Sequence, residues 1–360
     1  MNAQMLVVII ILAATAVLCI EYLWLYIIAN RQEEAIKKEE QYDSNIFMML
    51  EALLASPTES ARLKEIDKLI EYIDDDYMKF DIAAEKLLWL FRKKADFIEG
   101  KQQAIDLAIE KLNPKEKYQQ YFEKGDTYLK GYICRRFADY GAVEKRDEIR
   151  ECLDHKNLIL QYNAAMALSE LGDAESVIKY IQRCEDNKKY SHRVIIELLN
   201  IYSGDKAALA KTIFAECSDY MMATVIKGLV PDQLTELRPI YIEGVSSNSV
   251  QIRIASIKAL SVMATLEDEH LLIIALNDKD WVVRASAIRG LLRINTPAAV
   301  TAVEHATGDP EWWVRQIAAK ALIEMDGEMS HVEAVLKGYD KYASDAIRSS
   351  ITKEVNMEVL

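Results

Sequence analysis

Glycine and proline are scarce in this sequence of 360 residues, which contains only 12 glycines and 6 prolines. Folds built from many short strands need turn residues at frequent intervals, so the scarcity argues against a turn-rich β fold. Hydrophobic residues make up 51% of the chain and charged residues 28%, a composition typical of ordered proteins. The composition therefore predicts long helices in series.

Cysteine and histidine are also few, and neither forms a recognisable site. None of the five cysteines belongs to a CxxC pair, and the five histidines lack the spacing of metal ligands. The sequence has no glycine-rich phosphate loop and no G-x-S-x-G nucleophile turn. We therefore expect a protein that is not an enzyme, with no catalytic residue, no metal site, no cofactor and no small-molecule substrate.

Positive charge is in deficit, because 44 Lys and Arg residues face 57 Asp and Glu residues and leave a net charge of −13. An acidic surface repels phosphate backbones, whereas non-specific binding of nucleic acid depends on Lys and Arg. No dense run of basic residues interrupts this pattern. The charge balance therefore argues against a nucleic-acid partner.

One long apolar run occurs near the N-terminus. Residues 5–29 contain a single charge, Glu21, and about 20 apolar residues are enough to span a bilayer as a helix. Arg31, Lys37 and Lys38 follow the run, and positive residues favour the cytoplasmic side. We therefore expect a transmembrane anchor over residues 1–30 of a single-pass membrane protein, with its N-terminus outside and its body in the cytoplasm.

Glu21 is the one ionisable residue in that run, and two interpretations compete for it. An acid within a span is by default a functional candidate, here for pairing with a span of the partner. A position near the interface, from which the side chain reaches water, explains it without any function, and the aromatic neighbours typical of that interface favour this interpretation.

The rest of the chain divides into three predicted parts. Residues 31–45 are charged, with Glu33–Lys37 and Glu34–Lys38 at i,i+4 spacing, and they predict a solvated helical stalk. Residues 46–125 predict helices without a clean period, so that degenerate repeats and a separate helical domain both stay open. Residues 126–360 predict a repeat array with a C-terminal cap, because its last unit is more polar than the others.

The strongest pattern in the array is an apolar residue that recurs about every 31 residues. A second apolar column lies three residues earlier, and residues three apart share one face of a helix. Such self-similarity is typical of solenoids, whose helix pairs must stack to bury their apolar faces. We therefore expect an all-α fold: a right-handed α-solenoid of stacked antiparallel helix pairs, preceded by one transmembrane helix. The first column is Phe137, Leu168, Leu198, Leu229, Leu260, Leu291 and Leu322, and the second is Cys134, Ala165, Ile195, Ile226, Ile257, Ile288 and Ala319.

Within one unit, Asp309 is predicted to cap a first helix that ends near Met325, and a second helix returns over residues 330–338. The preceding unit repeats this arrangement with Asp278 as the cap. Each unit is therefore expected to begin with the helix that follows its aspartate.

Two of these units resemble a known family. DKDWVVRASAIRGL (278–291) and DPEWWVRQIAAKAL (309–322) resemble HEAT repeats of the short, roughly 31-residue kind seen in phycobilisome-lyase-like proteins. The acidic residue, the Val-Arg pair and the alanine-rich helix carry the resemblance, which is specific over 245–325, weaker over 126–245 and absent before that. The resemblance implies a structural ladder between neighbouring loops, formed here by Arg253, Asp278, Arg284, Asp309 and Arg315.

The adjacent tryptophans of the last segment raise the question of a binding site. Trp312 aligns with Trp281 one unit earlier, which favours packing between units. Trp313 aligns with Val282 and Gln251, a column that tolerates a polar residue, and so predicts an exposed anchor. Our candidate partner-binding residues are Trp313, Trp281, Trp312 and Glu21.

The sequence thus predicts a membrane-anchored cytoplasmic scaffold whose curved repeat surface binds a membrane-associated protein partner. The layout resembles that of bacterial accessory subunits of membrane glycosyltransferases that make surface polysaccharide. The alternative is a ligand-binding or lyase-like HEAT-repeat enzyme acting in the concave groove, since bilin lyases have similar repeats. That alternative predicts a deep pocket with converging polar groups.

Overall fold

The protein is described by a computed structural model that covers residues 3–93, 99–186 and 192–358, with side chains at 18, 20–93, 100–185 and 192–352. In these residues all regular structure is helical. The chain forms two compact units, residues 1–133 and 134–360. The fold is thus all-α, as the scarcity of glycine and proline predicts.

The first unit is a packed group of helices. The last turns of its first helix bury Ile46, Leu50 and Leu53 against the helices that follow. Phe80 packs edge-on against the ring of Tyr118, with the ring centroids 4.8 Å apart, and both side chains are fully buried. The helices of this part are α1 (Ala3–Ala55), α2 (Glu59–Ile73), α3 (Tyr77–Arg92), α4 (Glu99–Leu112), α5 (Pro114–Lys124) and α6 (Thr127–Asp139), the last of which contains the unit boundary.

The predicted membrane anchor is not found. In the part of the chain that the structure describes, no helix combines the length and the apolar character that a membrane crossing requires. The side chains of residues 5–17 and of Cys19, which belong to the predicted span, lie outside the described set. The absence of such a helix from the described part of the chain contradicts the predicted single-pass membrane protein.

The second unit is a linear array of short helices. Its helices alternate between two layers. After α6 they are α7 (Arg146–Leu153), α8 (Leu158–Glu170), α9 (Ala174–Asp186), α10 (His192–Ile201), α11 (Lys206–Glu216), α12 (Asp219–Leu229), α13 (Arg238–Gly244), α14 (Val250–Val262), α15 (Glu269–Ala275), α16 (Trp281–Ile294), α17 (Pro297–Ala306), α18 (Trp312–Met325), α19 (Ser330–Lys337) and α20 (Lys341–Glu358). From α8 to α20 each even-numbered helix packs on the next even-numbered helix, which lies in the same layer.

We call the even-numbered helices α8 to α20 the front layer and the odd-numbered helices α7 to α19 the back layer. Successive front helices pack closely on one another, whereas successive back helices touch much less. The front layer is therefore a continuous surface in which side chains of neighbouring units come close together. This arrangement is that of an α-solenoid, in agreement with the predicted array.

Both predicted apolar columns lie in the core between the layers. All seven members of the first column have no exposed surface, and no member of the second is more than 2% exposed. Buried serines reinforce the stacking: Ser169 Oγ donates to the carbonyl of Leu198 at 2.7 Å, and Ser261 Oγ to that of Ser286 at 2.7 Å. The 31-residue spacing thus identifies the residues that hold successive units together.

The frame of the repeat differs from the predicted one. The back helix α15 packs more extensively on the following α16 than α16 packs on α17, and the same holds for α17 with α18 and α19. Gly290 permits this contact, since a Cβ there would lie 2.7 Å from Leu272 Cδ1. Each repeat of the array therefore begins with its back helix. The Asp278 and Asp309 loops lie inside repeats instead of between them.

The helix caps also differ from the predicted ones. Asp280, instead of Asp278, caps α16 by accepting a hydrogen bond from Val282 N, and Glu311, instead of Asp309, occupies the cap position of α18. Asp278 and Asp309 each accept a bond from the backbone N–H two residues later, at 2.8 Å. Both carboxylates are drawn away from the helix start because an arginine of the preceding front helix binds them.

The core columns generate the first prediction. Leu291→Ala should lower the free energy of unfolding by about 2–5 kcal/mol, because it removes a fully buried side chain from a tightly packed stack. The measurement is urea denaturation followed by circular dichroism. The control is Leu266→Ala, a side chain that is 71% exposed, which should change the stability by no more than about 0.5 kcal/mol. Equal effects of the two changes would refute the assignment of this column to the core.

Candidate partner-binding site

Two arginines of the front layer join neighbouring loops. Arg253 Nε and Nη2 donate to the Asp278 carboxylate at 2.8 and 3.2 Å, and Arg284 Nε and Nη2 donate to Asp309 at 2.7 and 2.8 Å. The remaining nitrogen, Nη1, donates in each case to two carbonyls of the loop before its own helix, those of Ser247 and Asn248 or of Asp278 and Lys279. Each guanidinium therefore ties two successive loops together, a task suited to its planar fork of donors.

Arg315 lacks the acidic partner that the other two arginines have. Its Nη1 donates to the carbonyls of Asp309 and Pro310 at 2.8 and 2.9 Å, and its guanidinium lies 5.4 Å from the ring centroid of Tyr342. Asp340, 31 residues after Asp309, instead accepts bonds from the N–H groups of Tyr342 and Ala343 at the start of α20. The ladder thus brings together four of its five predicted residues as two ion pairs, and Arg315 ends it.

The three candidate tryptophans lie at the starts of two front helices and are all exposed. Trp281 is 40% exposed, Trp312 47% and Trp313 55%. Trp312 and Trp313 contact each other edge to face, with centroids 4.5 Å apart. The exposure of Trp313 agrees with its predicted position, whereas that of Trp312 differs from its interpretation as packing between units. The two indoles are adjacent on the helix and stack on one another instead of entering the core.

A groove of about 560 Å³ opens beside these two indoles. It runs along the front layer from α16 past α18 to α20, and Trp281 is not among its lining residues. Its walls combine apolar side chains with a few charged ones: Ile288, Arg289, Leu292, Trp312, Trp313, Gln316, Ile317, Lys320, Ala321, Glu324 and Ser350. Such a mixture suits contact with a protein surface.

The front layer also carries four exposed cations that form a column with the 31-residue spacing of the array. We call Lys227, Lys258, Arg289 and Lys320 the cation column; each projects from the middle of its helix, one residue after the second apolar column. A second groove, of about 450 Å³, is lined by the first three of these residues together with Arg293. The column is missed when only contiguous basic runs are sought, although the repeat spacing makes it visible in the sequence.

The members of the cation column have few partners of their own. Lys227 Nζ donates to Gln251 Oε1 at 3.2 Å, and within the described residues Lys258, Arg289 and Lys320 are paired with no carboxylate. Burial, and next the neighbouring charge of Lys258, lower the pKa of Lys227 below its ordinary value of 10.5. The positive charges of the column therefore lie along the front layer without being balanced by a carboxylate of the described residues.

With this geometry in place, the comparisons with known proteins can be reported. Residues 268–354 match the family of HEAT repeats. The matched segment comprises three back–front pairs, α15–α16, α17–α18 and α19–α20, so its frame agrees with the packing of the helices. The match contains Arg284 and Asp309, as well as the tryptophan pair. No curated protein sequence matches the chain.

Solved structures that resemble the chain are also helical. An engineered protein is 14% identical, with 85% of this chain and 98% of that one covered and a TM-score of 0.33. Kap95p in a structure with RanGDP is 11% identical, with coverages of 86% and 50% and a TM-score of 0.42. The complex of CpcE and CpcF of phycocyanin lyase from Nostoc is 17% identical, with coverages of 85% and 94% and a TM-score of 0.24. These low scores carry no argument, and the fold rests on the helix stacking and on the HEAT-repeat match.

Two cysteines and one histidine of the array are shielded from solvent or paired within the fold. Burial raises the pKa of Cys184 to about 12 and, with the nearby Glu185, that of Cys217 to about 11, so both thiols stay protonated at neutral pH. His331 Nδ1 pairs with Glu304 at 2.6 Å. In the described part of the chain no group of three His, Cys, Asp or Glu residues is arranged to hold a metal ion.

Glu21 lies on α1, in the first unit, and its side chain is exposed. Its predicted pairing with a partner's span depended on the membrane anchor and loses its basis with it. A role of Glu21 outside a membrane is untested.

The ladder generates the second prediction. Arg284→Gln should lower the free energy of unfolding by about 3 kcal/mol, because it leaves the largely buried Asp309 carboxylate without its ionic partner. Arg315→Gln is the matched control and should cost less, because Arg315 has no acidic partner among the described residues and its loss leaves no buried carboxylate unpaired. Urea midpoints of the two variants provide the comparison. Equal losses would show that the ion pair adds nothing beyond the carbonyl contacts.

The third prediction concerns acid. Burial acts to raise the pKa of Asp278, but the hydrogen bonds from Arg253 and from the Asp280 N–H outweigh it and hold the pKa below its ordinary value of 3.8. The stabilisation is therefore complete above pH 3.8 and is lost as the pH falls through the lower pKa of the folded state. Asp278→Asn should destabilise the array at neutral pH, and its cost should shrink towards pH 2. A cost that does not change with pH in urea titrations would contradict this assignment.

Proposed function

We propose that this chain is a non-catalytic scaffold whose front layer binds a protein partner. The observation that supports the proposal best is the exposed Trp312–Trp313 pair beside an open groove. Tryptophan is enriched among the few residues that dominate the energy of protein interfaces, and an exposed pair loses unfavourable contact with water when a partner covers it. Stacked HEAT repeats offer the extended surface that such a partner requires.

The alternative, a ligand binder or lyase-like enzyme, is supported less well. A small-molecule site calls for a deep pocket with a few convergent polar groups. The pocket that brings Arg284, Asp309 and His305 together is the best candidate, but Arg284 and Asp309 already satisfy one another through two hydrogen bonds. The polar groups of Arg284 and Asp309 are therefore not free to bind a substrate in this pocket.

The narrower hypothesis of an accessory subunit of a membrane glycosyltransferase has no support beyond the resemblance in layout. That resemblance required a membrane anchor, which the described residues lack. The function that we propose is therefore limited to a scaffold for a protein partner, and the chemistry of that partner has to come from the surface itself.

The fourth prediction tests the scaffold with the full-length chain. A photoreactive amino acid placed at position 313 should cross-link to one defined protein in the native cell, whereas the same group at Ile274 should not. Ile274 is a matched control because it is a 53% exposed apolar residue of the back layer. Trp312→Ala combined with Trp313→Ala should weaken binding of the captured protein at least about tenfold, and Ile274→Ala should leave it unchanged.

The contrary result is equally clear. The proposal fails if position 313 yields no protein that position 274 does not also capture. It fails as well if the captured protein binds the double tryptophan variant and wild type with the same affinity.

A further inference from the structure

The cation column differs from three other basic residues of the same unit, which are each held by an acid of the fold. Arg150, Arg238 and Lys206 of the same unit are each paired with an aspartate. The column, in contrast, leaves Lys258, Arg289 and Lys320 without a carboxylate among the described residues, in a sequence with 13 more acids than bases. The column therefore has unused capacity for negative charge from another molecule.

The column is also continuous with the groove at the tryptophan pair. Arg289 lines both the groove towards Lys227 and Lys258 and the groove beside Trp312 and Trp313. Lys320 lines the second groove as well. A ligand that follows the column from α12 to α18 therefore arrives at the exposed indoles.

We propose that the cation column binds an extended acidic segment of the partner protein that has a carboxylate at every third residue. The inference rests on the scaffold function proposed above and specifies the chemistry of its partner. It is argued from charge complementarity along the column and from the distance between successive cations.

The spacing of the front helices sets the repeat of the ligand. Packed helices lie about 8–10 Å apart, and the column contributes one cation per front helix. A polyproline II segment rises about 3.1 Å per residue with three residues per turn, so every third side chain returns to the same side after about 9.3 Å. Acidic residues at every third position would therefore meet successive cations, while the residues between them face away from the column.

The indoles fit the same ligand. Polyproline II segments commonly dock in grooves lined by aromatic residues, because the preformed helix loses little entropy on binding. A segment that is held by Arg289 and Lys320 lies in the groove that Trp312 and Trp313 also line. The column then fixes the register of the segment and the indoles provide apolar contact.

A nucleic acid fits the surface less well. Each strand of DNA has a phosphate about every 3.4 Å along the helix axis, roughly three times as often as the column presents a cation. Trp312 and Trp313 cover one another's rings in part, which leaves less open face for stacking bases.

The test uses the full-length chain and fluorescently labelled synthetic peptides in fluorescence anisotropy. The matching peptide has Glu at every third position with Pro between, and the control peptide has the same composition with its glutamates contiguous. The matching peptide should bind several-fold more tightly than the control. Lys258→Glu with Lys320→Glu should weaken its binding at least about tenfold, because like charges then face the ligand.

The matched protein control is Lys156→Glu with Lys211→Glu, which changes the net charge by the same amount. Both lysines are exposed, Lys156 between α7 and α8 and Lys211 on the back helix α11, and binding should be unchanged. Equal affinity for the two peptides, or equal losses in the two variants, would overturn the proposed register. Tighter binding of single-stranded DNA or of anionic phospholipid vesicles than of the matching peptide would overturn the assignment to a protein segment.

The peptide-binding experiment and the cross-linking experiment at position 313 can fail separately. If a defined protein cross-links at position 313 but the matching peptide fails to bind, the scaffold stands and the acidic segment is wrong. If neither is observed, both proposals fail.

Discussion

Each helix pair of the array leaves an apolar stripe that only the next pair can cover, and the rest of the second unit depends on this constraint. The stripe is the two columns spaced by 31 residues, whose members from Phe137 to Leu322 are fully buried. Because coverage comes only from neighbours, the units must stack in a line. The line in turn leaves one continuous face, the front layer, on which equivalent side chains of successive units stand side by side.

The charged residues of the array divide into two groups under this constraint. Arg253 and Arg284 lie at the starts of front helices, where loops leave carbonyls and carboxylates to be satisfied, and they are used within the fold. Lys258 and Arg289 lie farther along the same helices, where the neighbouring units offer no acid among the described residues. A cation at the start of a front helix is thus used within the fold, whereas a cation farther along the helix is available to a partner. This separation makes the front layer the surface on which function is most reasonably sought.

Prediction from sequence succeeded where a repeated local pattern has one physical solution. The apolar columns had to be buried, and the arginine–aspartate pairs were within reach once the repeats stacked.

Prediction from sequence was less successful where one residue could interact with more than one partner. Asp278 and Asp309 were expected to cap helices, but the arginines of the preceding front helices attract them, and Asp280 and Glu311 occupy the cap positions. Trp312 shares a column with Trp281, but its neighbour Trp313 offers an aromatic contact on the surface. The predicted membrane span was wrong, since no helix in the described part of the chain is long and apolar enough to cross a membrane.

The sequence by itself determined that this protein is helical and that its second part is a helical repeat array, because a period of about 31 residues is typical of helix pairs that bury their apolar faces by stacking. It also contained the cation column, as four basic residues at that same period. Only the tertiary structure decided that these cations stand without carboxylates, that the back helix begins each unit, and that both tryptophans of the pair are exposed. These properties depend on which side chains of neighbouring helices come within reach, and the distance between helices is set by packing across the whole stack.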